Sequence, residues 1–230
     1  MAKSDHVSHR QRGYRFSEDW TEDEFRDIKQ DEGLTITEVV PVNIEIRGEH
    51  RVLNLDKAKE YLSRAKKICC IDCGCRTAQH HCDAPLNVCI GWDSALRLLE
   101  GNKDKNPRII EMEEAMETLE RSHEAGLVHM AYSLNDDEVN AICSCCSCCC
   151  AVLSSSVRYG LSLHLLTSDT VSKTDMEKCD SCGICVDRCQ FGAREIVDDL
   201  LRFDPRRCLG CGLCVTKCPT DAIELVKKGN

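Results

Sequence analysis

Residues 179–189 read CDSCGICVDRC and residues 208–218 read CLGCGLCVTKC, and a shift of 29 positions lays one on the other. Cys179, Cys182, Cys185 and Cys189 fall on Cys208, Cys211, Cys214 and Cys218, while Gly183, Val186 and Ala193 fall on Gly212, Val215 and Ala222. The chain therefore carries a duplicated unit. Each copy spaces its thiols as Cys-x2-Cys-x2-Cys-x3-Cys, so three side chains at intervals of three must wrap one compact object. A zinc ion needs only four ligands, and its usual pattern parts two Cys-x2-Cys knuckles by a longer stretch. An iron-sulfur cubane offers four irons at its corners, so three close cysteines each take one and a distant cysteine takes the last.

On these motifs, with Pro219 after the last cysteine, the stretch from about Val171 to Lys227 resembles a bacterial-type dicluster [4Fe-4S] ferredoxin domain, over about a quarter of the chain. The resemblance implies a pseudo-twofold repeat, two [4Fe-4S] clusters and single-electron transfer at low potential. It also implies crossed ligation, because the fourth cysteine of each run serves the other cluster. Cluster one then takes Cys179, Cys182, Cys185 and Cys218, and cluster two takes Cys208, Cys211, Cys214 and Cys189. The first run departs from the pattern, with Gln190 where Cys-Pro is usual. Gln190 brings a backbone N–H and a polar side chain near a cluster, so the two potentials need not be equal. Gly183, Gly210 and Gly212 let the loops curl, by cluster wrapping or by plain turn chemistry. Between the copies, Glu195–Val197 and Leu200–Phe203 read as a hairpin turned at Asp198-Asp199, and Ala222–Val226 as a closing strand.

Twelve further cysteines precede this part: Cys69, Cys70, Cys73, Cys75, Cys82 and Cys89, then Cys143, Cys145, Cys146, Cys148, Cys149 and Cys150. Adjacent cysteines point different ways, so no run faces one metal entirely. If the second run is helical, Cys143, Cys146 and Cys149 or Cys150 share a face and want a fourth ligand from elsewhere. The first run supplies it, or closes a site of its own through Cys73, Cys75, Cys82 and Cys89. One or two further iron-sulfur clusters, a structural zinc and non-ligand thiols all remain open readings. His80 and His81 beside Cys82 are candidate ligands, while His123 and His129 flank Gly126; hydrogen-bonded bystanders are the plainer reading of all four. The segments Cys73–Arg76, Cys82–Cys89, Gly126–His129 and Ile142–Cys149 are together similar to the front module of poorly characterised iron-sulfur proteins from anaerobic microbes. That resemblance implies metal binding and a redox context, with no substrate.

Elsewhere in the front half, Val42, Ile44 and Ile46 alternate and turn at 47–50 into Val52 and Leu53, which predicts a hairpin. Ala58, Tyr61, Leu62 and Ala65 predict a helix capped by Asp56. Met112, Ala115, Met116 and Leu119 predict another, ended by Gly126, and Trp92 is expected to pack against the module.

The expected class is α+β, with a polar mobile arm at 1–33, a mixed α/β cysteine-rich module at 34–168 and the ferredoxin-like domain at 169–230. The 20 cysteines among 230 residues, with aromatics at only 4%, point to metal coordination as a substitute for a large apolar core. The charged start lacks the apolar core of a signal peptide, and no spanning stretch is visible, so a soluble cytoplasmic protein is expected. Residues 171–230 balance ten basic against ten acidic side chains, which leaves the net charge of −9 on the front half. No basic stripe invites nucleic acid. Dinucleotide, phosphate-loop, His-Glu-x-x-His, Gly-x-Ser-x-Gly and haem-attachment motifs are missing. The expected function is electron transfer as a donor to, or subunit of, a larger redox system. In this reading the repeat docks on its own front module, and a basic partner meets the acidic surface. Alternatives are a redox enzyme with an unusual active cluster in the front module, and a metal-dependent oxygen-sensing regulator.

Overall fold

A computed structural model describes residues 50–101, 103–132, 139–159, 165–166 and 168–228. The expected arm at 1–33 and the strand at 42–46 lie outside them. Strand β1 (His50–Leu53) leads into helix α1 (Leu55–Leu62), strand β2 (Ile68–Asp72) and helix α2 (Gly74–Gln79). Strand β3 (Asn87–Trp92), helix α3 (Leu96–Gly101), strand β4 (Arg108–Ile110) and helix α4 (Met112–Glu124) follow. Strands β5 (Val128–Tyr132) and β6 (Ala141–Cys145), helix α5 (Ala151–Tyr159) and strand β7 (Leu165–Leu166) complete the front module. Its strands form one seven-stranded sheet in the order β4-β2-β3-β6-β5-β1-β7. The β1–β7 pair is parallel and the other pairs are antiparallel.

Strand alternation gives this sheet two chemically different faces. One face carries Leu53, Ile68, Cys70, Ile90, Trp92, Ala131 and Ile142, which pack against Ala58 and Leu62 of α1 and Ala115 and Leu119 of α4. That is an ordinary hydrocarbon core. The other face carries Cys69, Ile71, Cys73, Cys89 and Ala141 toward Cys146, Cys148 and Cys149. Farther along the same face, Val52, Val128, Met130 and Cys145 meet Cys150, Val152 and Leu153. Between Ile71 and Asp72 the β2–β3 register slips, so Val88 is passed over and sits with Cys89 in the thiol-lined core.

Helix α4 ends as Gly126 allows. Gly126 has φ +81°, its N–H donates to the His123 carbonyl at 2.9 Å, and the Leu127 N–H donates to Ser122 at 3.0 Å. This is the paired-bond glycine cap. Two local expectations need correction. Asn54, not Asp56, caps α1, its side chain accepting the Lys57 N–H at 2.9 Å, and the helix closes before Ala65. The second cysteine run is strand β6 followed by a turn through residues 146–150, not a helix, because residues 141–145 are paired with β5 and β3.

The remaining part has strand β8 (Thr170–Thr174), helix α6 (Ile184–Arg188), strands β9 (Arg194–Val197) and β10 (Leu200–Phe203), and strand β11 (Ile223–Lys227). Strands β9 and β10 form the expected hairpin, with Asp198 and Asp199 at φ 50° and 60°, and β11 closes against β8. The part is joined to the front module by polar clamps. Arg188 donates to the Glu124 and His123 carbonyls at 2.9 and 2.6 Å, at the C-terminus of α4 where a cation is favoured. His123 is hydrogen-bonded to Thr216 at 3.0 Å, and Lys217 pairs with Glu124. Among the described residues no helix is long and apolar enough to cross a membrane.

Candidate metal centre

The C-terminal cysteines are brought together across the repeat. Cys179, Cys182 and Cys185 of the first run line one cavity with Cys218 of the second, beside Gly183, Leu201 and Ile223. The thiols of Cys211 and Cys214 lie within reach of each other's charge and of Cys189 and Cys208. Burial pushes the Cys185 thiol up to about 11 and raises Cys211 and Cys214 as well. Such thiols ionise only when a cation takes over the role of solvent, which is what bound iron provides. Matching backbone donors are already aimed at two of the sulfurs. The Ala193 N–H donates to Cys189 Sγ and the Ala222 N–H to Cys218 Sγ, both at 3.3 Å. Gly210 has φ +73°, and a Cβ there would collide with the Thr170 carbonyl, so the loop before Cys211 requires glycine. One four-thiol cavity and a second group of four neighbouring thiols, each with a backbone amide aimed at one sulfur, fit two cubanes.

Arg194 lies between these two groups. It is 2% exposed, donates to Thr174 Oγ1 and Ser172 Oγ at 2.9 Å each, and lies 4.6 Å over the Phe203 ring. Its positive charge also acts to lower the thiol pKa of Cys185 and Cys214, one from each group. At the same place in the second copy stands Ile223. Gln190 is likewise not where sequence reasoning put it. Its side chain leaves the cluster and reaches the front module, accepting the Ser147 N–H at 2.6 Å and donating to the Gly126 carbonyl.

The twelve front cysteines sort into three sets. Cys82, Cys146, Cys148 and Cys149 form a tetrad whose sulfurs all lie within 4.8 Å of one another. Its measured edges are 3.7 Å for Cys82–Cys146, 3.3 Å for Cys146–Cys148 and 3.4 Å for Cys148–Cys149. A tetrahedral ion with metal–sulfur bonds of about 2.3 Å separates its sulfurs by roughly 3.8 Å, so the tetrad has the span of one such ion. Cys73, Cys75, Cys89, Cys143, Cys145 and Cys150 form the second set, packed into the thiol-lined cores on the same face of the sheet. Cys69 and Cys70 belong to neither set. They alternate on β2 into the two cores, and burial pushes Cys70 up to about 12, the behaviour of a packed neutral thiol.

The sequence-based candidates Cys73, Cys75, Cys82 and Cys89 are thus split, with Cys82 in the tetrad and the other three packed in the core beside it. Cys143, Cys146 and Cys149 are split too, because β6 is a strand and Cys143 faces Cys145 rather than Cys146. Cys148, the remaining member of the tetrad, was missed as a ligand candidate. Arg76 was missed as well. It is 1% exposed, donates to Pro85 and Ser144 carbonyls and lies 3.7 Å from Cys146 Sγ. Burial works against its charge, yet Cys146 and Cys73 raise its pKa, so the guanidinium is matched to thiolates. His81 uses Nδ1 to donate to the Cys148 carbonyl at 2.8 Å, supporting the tetrad's backbone. His123 and His129 stack with centroids 5.8 Å apart, and His129 bonds Ser144 at 3.1 Å.

A family model for the 4Fe-4S binding domain matches residues 173–195 and again 201–224, one match over each cysteine run. A search of curated proteins found no match to this chain. The C-terminal part is a ferredoxin-type iron-sulfur domain, and its two motifs fit two [4Fe-4S] clusters.

Proposed function

We propose that the chain is an electron-transfer protein in which Cys179, Cys182, Cys185 and Cys218 hold one cubane and Cys208, Cys211, Cys214 and Cys189 hold the other. The observation that carries this reading is the shared cavity, in which a cysteine of the second run completes the triplet of the first. When bound, each cluster supplies a one-electron couple. The protein sets who exchanges with it. Cys182 is exposed, and Met176, Ile184, Ile196 and Leu200 present apolar surface at that end, which suits brief docking of a redox partner. At the opposite end, Cys189 and Cys211 pack against an apolar core that contains Phe191, Leu213, Cys145 and Cys150. Electrons entering at Cys182 are thereby led toward the front module, whose tetrad is a further metal centre.

The test is anaerobic purification followed by iron and sulfide quantification and EPR of the dithionite-reduced protein. Two interacting reduced cubanes are expected, and Cys211→Ser is expected to abolish one of them while leaving the other reducible. Colourless protein that stays magnetically silent under dithionite would overturn the reading.

A further inference from the structure

Three members of the tetrad, Cys146, Cys148 and Cys149, lie within one turn after β6, and the fourth, Cys82, comes from the loop after α2, 64 residues before Cys146. Hydrogen bonds from around the group fix where these sulfurs stand. The Cys150 N–H donates to the Cys146 carbonyl at 3.0 Å and closes the turn. His81, next to Cys82, donates to the Cys148 carbonyl, Ser154 Oγ donates to the Ser147 carbonyl at 2.6 Å, and Gln190 of the C-terminal part accepts the Ser147 N–H. The backbone thus brings the sulfurs together, and Cys146, Cys148 and Cys149 are 1%, 2% and 2% exposed.

The span of the group decides what it can hold. Thiolates on a single tetrahedral ion stand roughly 3.8 Å apart. Thiolates on a cubane are carried outward by its iron corners and stand roughly 6 Å apart. Every sulfur separation in the tetrad lies within 4.8 Å, and the three measured edges run from 3.3 to 3.7 Å. Among the described residues the C-terminal cysteines give the contrast, since no three of their sulfurs gather within that span. Four thiolates around one divalent ion leave a net charge of about −2. Arg76 meets that charge. Its guanidinium is 1% exposed and donates to Cys146 Sγ at 3.7 Å, its other partners are the Pro85 and Ser144 carbonyls, and its Nε has none. Among the described residues no carboxylate pairs with Arg76, so the tetrad is the anion buried with it. Four neutral thiols would leave the guanidinium uncompensated.

We infer that Cys82, Cys146, Cys148 and Cys149 hold a single thiophilic divalent ion, zinc or iron, without sulfide, and that Arg76 is the positioning residue whose buried charge balances it. This rests on the reading of the tetrad as a metal centre and fixes how many metal atoms it takes.

The test counts metal against acid-labile sulfide in full-length protein purified without oxygen. Cubanes contribute iron and sulfide equally, so the tetrad's ion is the excess, expected at about one per chain with zinc and iron read separately. Cys148→Ser is expected to remove that excess and leave sulfide unchanged. Loss of iron and sulfide together in this variant would put a cluster at the tetrad, which overturns the inference and keeps the metal-centre reading. No excess in the wild type, with neither metal nor sulfide lost in the variant, would remove both. Cadmium-113 exchanged into wild-type protein needs no variant to fold. One resonance at the shift of four sulfur ligands is expected, and its absence rejects the single-ion site. For Arg76, chelator competition for the excess ion is expected to show a roughly 10- to 100-fold weaker hold in Arg76→Met, partly restored in Arg76→Lys. An unchanged hold in Arg76→Met would overturn its role as counter-charge. Missing sulfide and a silent reduced state, with the metal excess intact, would instead remove the electron-transfer reading and leave the tetrad standing.

Discussion

At Gln190 a single residue changes partners. The backbone before it suits proline, since Cys189 is extended at φ −85° and ψ 101°, and proline follows the matching cysteine of the second copy. What proline lacks is the side chain that grips Ser147 and Gly126. Gln190→Pro is therefore expected to keep both cubanes and to weaken the union of the two parts by about 1–3 kcal/mol, read from denaturant unfolding under nitrogen. Arg194 makes an electrostatic expectation. A buried positive charge beside Cys185 and Cys214 favours the more negative, reduced cluster. Arg194→Met should lower the midpoint potentials by roughly tens of millivolts in an EPR-monitored titration, and an unchanged or raised potential would contradict this role. Neither role was legible in the sequence. Gln190 was visible as a departure from the repeat, but the direction of its side chain depends on α4 lying alongside, and nothing in the motif spacing marks Arg194 as buried.

Among the elements, the amphipathic helices were legible because their apolar spacing serves a conventional core, and the hairpin because turn residues flank it. The segment 143–150 was not. Its cysteines are dense enough to satisfy both a helical and an alternating period, and only pairing of β6 with its neighbours chooses between them. The last turn of α4 makes an expectation of its own. Burial and then Arg188 push the pKa of His123 down to about 4, and burial pushes His129 down to about 3. Both are neutral when folded, and an unfolded histidine binds a proton near pH 6.5. Their contribution is thus full above about pH 6.5 and is lost as pH falls toward about 4. Urea unfolding between about pH 7 and about 5.5 should show this decline, and His123→Asn should make it shallower; an equal slope in the variant would exclude His123 as its source.

For the whole molecule, the repeat announced the C-terminal domain because its ligands are local in sequence, whereas the front ligands are assembled from distant segments by a sheet. The spacing of Cys82 from Cys146 in sequence carries no trace of the 3.7 Å between their sulfurs. Stability divides along the same line. The face of the sheet under α1 and α4 is held by hydrocarbon, and the opposite face by packed thiols, which on the proposed function take metal. Stripping metal with a chelator under nitrogen is expected to expose the amides of α2, residues 146–150 and α5 to hydrogen exchange while α1 and α4 keep their protection. Uniform loss over both faces would show that the sheet responds as one unit.

Cys182 is exposed and Cys211 half-buried, and on the proposed cubane assignment this difference in depth sets a weathering order. Dissolved oxygen would then meet the outer iron first, and corrosion would work inward. A chain caught in air would then lose its outermost cube while the inner one is still intact.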